Sequence, residues 1–189
     1  MDSILSLAVC AAGICGAQLA YWLPLKKRDR FRLRALLDLF IVIPLSRLMV
    51  FGNSGRLDTL LLLVIYAVYF TCAAVSTHLC TRLDWAASAY CSVWIVLSSE
   101  SVYELWRVLI WTAEALGMQH LSLYSTPMLL GQLGFTVVCC IVVRFTVART
   151  MPEDGTYHIG PRQLGSAGLL GVMFVFQFFA LQTSLRIGL

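Results

Sequence analysis

The chain has 189 residues, of which 59% are hydrophobic and only 13% charged, and its mean hydropathy is +0.81. Soluble domains carry about 25% charged residues, so a single water-solvated core is excluded and lipid is the expected solvent. The net charge of +4 is concentrated in one segment, which excludes a nucleic-acid surface and points to the lipid bilayer, with its anionic headgroups, as that segment's neighbour.

A membrane-crossing helix needs about 20 apolar residues. Six stretches qualify, and the expected architecture is all-α: one polytopic transmembrane domain over residues 1–189, with spans near 3–23, 35–51, 59–79, 85–105, 128–147 and 164–181. The first stretch lacks a basic leader, and its charges follow the apolar run, so it reads as a retained span and not a signal peptide. Within it, Gly13, Gly16, Ala17 and Ala20 recur at helical spacing and offer a face for close helix packing.

The basic segment comes next, with Lys26, Lys27, Arg28, Arg30, Arg32 and Arg34 within eleven positions. The second span contains Asp38, Pro44 and Arg47. Asp38 lies one turn beyond Arg34, a spacing suited to an ion pair, and Pro44 is expected to kink the helix. Gly52-Asn-Ser-Gly55 reads as a turn. Beyond the fourth span the helical pattern continues to Leu116. Glu104, at the end of that span, shares one face with Arg107, Trp111 and Glu114, as expected where an amphipathic helix over 106–116 leaves the bilayer or bends along it. Pro127 suits the first turn of the fifth span.

Lys and Arg near span ends stay on the cytoplasmic side. Placing residues 25–34 inside puts the N-terminus outside. Nine Lys and Arg then fall in the inner segments 25–34, 81–84 and 149–163, against Arg56 and Arg186 outside. A multi-pass protein of the cell membrane follows, with the last span ending outside.

Ionisable groups inside a bilayer need a partner or a cavity. Arg47 and Glu100 lie at matching depths near the outer ends of their spans, so a pair between Arg47 and Glu100 or Glu104 is expected. These residues with Arg107 and Trp111 form a candidate outer ligand pocket. His78, His120 and His158 fall on at least two sides of the membrane and cannot form one cluster. Trp22, Trp85, Trp106 and Trp111 lie near span ends, where amphipathic rings anchor helices; a ligand could stack on Trp106 or Trp111. The seven cysteines include no CxxC pair and read as small hydrophobes. No metal site or cofactor is expected. No phosphate loop, HExxH or GxSxG pattern is present, so the chain is not expected to be an enzyme.

The run Pro24-Leu-Lys-Lys-Arg-Asp-Arg-Phe-Arg-Leu-Arg34, closing an apolar first span, resembles the start of the membrane sensor of GHKL-type histidine kinases, themselves distantly similar to accessory-gene-regulator peptide receptors. His158-Ile-Gly-Pro-Arg162 before a Leu- and Phe-rich stretch is also similar. The resemblance implies a two-component-type sensor that binds an extracellular ligand, a peptide or a small molecule, and acts with a second copy or a partner kinase subunit. It departs from the family in lacking the kinase domain, and none of the three histidines matches the phospho-acceptor motif. Two other classes fit the same composition. One is the substrate-binding subunit of an energy-coupling-factor-type transporter, which would use the Gly13–Ala20 face for docking. The other is a structural membrane subunit.

Overall fold

The structure, a computed structural model, describes residues 2–52, 59–116, 125–148 and 159–187. The turn expected at Gly52-Asn-Ser-Gly55, the connection carrying His120 and the loop carrying His158 lie wholly or mostly outside the described residues. Among the described residues there are six helices: α1 (Asp2–Trp22), α2 (Phe31–Gly52), α3 (Thr59–Cys80), α4 (Trp85–Ala115), α5 (Thr126–Ala148) and α6 (Pro161–Ile187). Among the described residues there is no strand, only an isolated antiparallel bridge between Lys27 and Thr81.

Local chemistry sets the helix ends. Arg30 adopts a left-handed φ of 58°, and the Arg34 N–H closes the first turn on the Arg30 carbonyl at 3.1 Å. As a result α2 starts inside the basic segment, four residues before the apolar run. Pro44 sits inside α2, which continues past it. Asp84 caps α4, its carboxylate accepting from the Ala87 N–H at 2.8 Å, the usual use of an aspartate at a helix start. From there α4 runs unbroken for 31 residues, through the point where an emerging or bent extension was expected. Pro161 opens α6 at the one position where a missing N–H costs nothing.

Three connections gather at one end of the bundle. The Arg28 N–H bonds the Cys80 carbonyl at 3.1 Å, and the Arg82 N–H bonds the Lys26 carbonyl at 2.8 Å, so the α1–α2 and α3–α4 loops pair through their backbones. Leu25, Leu83, Ala87 and Cys91 form a small core beneath them, and Ile159, just before α6, packs on it. Sequential helices therefore run in alternating directions.

Two of the arginines at this end have structural partners. Arg28 Nε donates to the Thr81 carbonyl at 2.7 Å and Arg34 Nη1 to the Leu79 carbonyl at 2.8 Å. The last carbonyls of a helix have no partner within it and carry the negative end of its dipole, so arginines suit them. The expected Arg34–Asp38 pair is absent. Arg34 is turned to the Asp29 and Leu79 carbonyls, while Asp38 is buried and accepts from Ser76 and Gln18.

Polarity is inverted relative to a soluble bundle. Gln18, Asp38, Ser46, Ser76, Thr77, Ser88, Ser92, Glu100, Gln132 and Thr136 are buried. The outward faces carry Leu36, Leu37, Phe40 and Ile43 on α2, Val137, Val138, Ile141 and Phe145 on α5, and Leu169, Val172 and Met173 on α6. A lipid solvent selects this distribution, because polar groups there must find partners inside the protein. Among the described residues three stretches, Ile4–Trp22, Leu63–Cys80 and Thr126–Thr146, are long and apolar enough to cross a membrane, fewer than the six expected.

The centre of the bundle is α1, which packs most extensively on α5 and also touches α2, α3 and α4. Its small-residue face is used here. A Cβ added at Gly16 would stand 2.7 Å from Cys140 Sγ, and one at Gly13 would stand 3.9 Å from Thr136 Cγ2. Trp22 corrects another expectation. It is no interface anchor but is 1% exposed, and its indole N–H donates to Thr77 Oγ1 at 3.0 Å.

Candidate functional site

In the half of the bundle away from the gathered loops, a cavity of about 80 Å³ lies between α1, α2, α4 and α5. α4 supplies its chemistry. Ser99, Glu100, Tyr103, Trp106 and Arg107 line it, and the three- and four-residue steps between them put these side chains on one helical face. Gly13, Met49, Gln132 and Thr136 close it from the other helices.

Glu100 is 7% exposed. Tyr66 Oη on α3 donates to its Oε2 at 3.2 Å. The two residues before it make similar contacts, Ser99 with Tyr69 at 2.6 Å and Ser98 with Tyr21 at 3.0 Å. Successive α4 residues thus meet tyrosines of α3 and α1, which fixes the rotation of α4 about its axis. Burying a carboxylate is costly unless donors surround it, and Gln132 adds a second polar group to the same cavity wall.

Trp106 lies against α5. A Cβ at Gly131 would stand 3.0 Å from its ring, and Phe135 is 5.6 Å away between ring centroids. Its indole nitrogen is buried and has no hydrogen-bond partner among the described residues. At the rim, Arg107 Nη1 donates to Glu104 Oε1 at 2.9 Å, one turn along the same helix, and the Arg107 guanidinium stands 6.0 Å from the Tyr103 ring.

Of the expected pocket residues, Glu100 and Arg107 line the cavity and Glu104 is held at its rim by Arg107. Arg47 and Trp111 are not part of it. Arg47 is exposed and makes no ion pair among the described residues, which corrects the expected Arg47–Glu100 or Arg47–Glu104 pair. The physical reason is helix register. The buried stripe of α2 is Asp38, Val42, Leu45, Ser46 and Met49, and Arg47 lies about 100° round the helix from Ser46, toward the outside. Trp111 is 69% exposed. Trp106, named as a ring on which a ligand could stack, lines the cavity, whereas Gln132 and Thr136 were not anticipated. A lone glutamine within the most apolar stretch of α5 was the available signal, since polar groups in such a stretch face the bundle interior.

At the opposite end, His78 bridges the loops. Its Nε2 accepts from Arg28 Nη2 at 3.2 Å, and Nδ1 donates to the Leu83 carbonyl at 3.0 Å; only this tautomer satisfies both partners. Its ring stacks on exposed Trp85 with 4.0 Å between centroids. These contacts make it a structural residue of the loop end. All seven cysteines are free thiols. Compared with known protein families, with characterised proteins and with solved structures, the chain matches none of them.

Proposed function

We propose that this chain is the membrane-embedded receptor module of a signalling system, a multi-pass cell-membrane protein whose six helices all cross the bilayer with the N-terminus outside. The gathering of three connections at one end supports six crossings, and the nine-to-two excess of Lys and Arg supports a cytosolic location for that end. The cavity around Glu100 then opens toward the outer half of the bundle. The observation that carries the reading is this cavity: a buried carboxylate and a buried amide line it, beside Trp106, whose indole N–H has no hydrogen-bond partner among the described residues.

Its size defines the ligand class. At about 80 Å³ it has about half the volume of an engineered cavity that holds benzene. It takes a small polar molecule or the terminal group of a longer ligand, with the rest of a peptide left outside. The resemblance of residues 24–34 to GHKL-type kinase sensors supports a signalling role, in which a second copy or a partner kinase subunit reads the bound state. Docking through the α1 small-residue face, as in a transporter subunit, is disfavoured because α5 already occupies the part at Gly13 and Gly16.

Two measurements test the reading. In a cysteine-free background, Asp29→Cys is expected to stay protected from a membrane-impermeant maleimide in intact cells, while Ser54→Cys is labelled; the reverse result inverts the orientation. A thermal-shift screen of the purified protein against amino acids, small amines and short peptides is expected to give a stabilising hit. Glu100→Gln should weaken that hit about tenfold or more, the loss of one charge-assisted hydrogen bond. Arg47→Ala should leave it unchanged. Equal binding by the Glu100 variant would remove the cavity from the mechanism.

A further inference from the structure

We infer that the groove between the loop-end halves of α2 and α3 is a binding site for one anionic phospholipid. This inference is independent of the receptor reading. The groove encloses about 370 Å³ and is lined by Arg30, Leu33, Arg34, Leu37, Ile41 and Leu79. Both arginines stand at the loop end, and the apolar residues lead away from them along the helices. Eleven residues of helix from Phe31 to Ile41 cover about 16 Å, close to half of a hydrocarbon core of about 30 Å. The groove therefore has the length of one leaflet, with its positive charge at the headgroup level and its leucines at acyl-chain depth.

The charges at the mouth are not neutralised by the protein. The Arg30 side chain makes no ion pair or hydrogen bond among the described residues. Among the described residues Arg34 bonds only backbone carbonyls, those of Asp29 and Leu79. The nearby Asp29 carboxylate is engaged by Arg82 at 3.2 Å. Asp38, the one acid lining the groove, is buried and held by Ser76 and Gln18. Two guanidinium groups above an apolar floor match a phosphodiester carrying a fatty chain. A neutral helix from a partner would leave both charges without a counter-ion. The backbone favours this placement too. Arg30 holds a left-handed φ of 58°, which is strained for a non-glycine residue, and it lines the groove at its loop end.

That conformation also supplies a clean variant, because Arg30→Gly removes the charge while relaxing the backbone. The experiment is native mass spectrometry of the full chain released from bilayers containing equal amounts of phosphatidylglycerol and phosphatidylcholine with the same acyl chains. One retained phosphatidylglycerol is expected, preferred about 25-fold over phosphatidylcholine, or about fivefold for each arginine. Arg30→Gly should reduce the preference to about fivefold. Leu37→Trp, which fills the groove at a half-exposed position, should remove the retained lipid and leave helicity unchanged. Equal retention of the two lipids, an unchanged preference in Arg30→Gly, or adducts that accumulate without a plateau at one would each overturn the proposal.

Discussion

Replacing Trp22 with alanine is expected to lower the stability of the bundle by about 3–5 kcal/mol, the cost of removing a large buried ring. The side chain is 1% exposed. Its indole N–H donates to the buried Thr77 hydroxyl at 3.0 Å, and Phe31 meets it edge-on with ring centroids 6.4 Å apart. The residue therefore joins the end of α1 to α3 and to the first turn of α2. Trp22→Phe keeps most of the packing and deletes the donor, so a smaller loss of about 1–3 kcal/mol is expected. Chemical or thermal unfolding in detergent, followed by near-ultraviolet circular dichroism, separates the two. A tryptophan at the membrane interface, as its place at the end of an apolar run implied, would make both substitutions nearly neutral.

The second large effect is expected at Gly16. Gly16→Leu should destabilise the protein by about 3 kcal/mol, the upper end for overpacking a close contact. Even a methyl group would stand 2.7 Å from Cys140 Sγ and 3.5 Å from Cys140 Cβ, so α1 and α5 must part or the thiol must rotate. Gly16→Ala should cost about 1 kcal/mol, and adding Cys140→Ala should restore most of it. Contacting residues couple in this way, and a double-mutant cycle reads the coupling directly. Additive losses in the cycle would show that the two helices do not meet at these positions.

These two positions show what the sequence made legible. Helix number and class were readable from runs of apolar residues interrupted by charge, proline and glycine. The close-packing role of Gly13 and Gly16 was readable because small residues at helical spacing have one common use beside lipid. Helical spacing was also readable, which is why Glu100 and Arg107, seven residues apart on α4, were both named for the pocket whose cavity they line. Rotation about the axis was not. In a water-soluble helix the polar face marks the outside, whereas here lipid and core are both apolar and the periodicity carries little contrast. Arg47 and Asp38 therefore acquired partners from depth and spacing alone, while the structure turns Arg47 outward and Asp38 inward to Ser76 and Gln18. Trp22 was misplaced for the same reason, since proximity to a span end does not distinguish a ring facing headgroups from one facing a neighbouring helix.

The backbone pairing of residues 26–28 with 80–82 has a mechanical consequence. It joins two helical hairpins, α1–α2 and α3–α4, at their closed ends, while at the open ends the chain links only α2 to α3 and α1 and α4 meet through side chains. Relative tilt of the hairpins then pivots at the joint, with little displacement there and the greatest displacement at the far tips. The Glu100 cavity lies on that long arm, so wedging or drawing together the helices around it works with leverage against a fixed fulcrum.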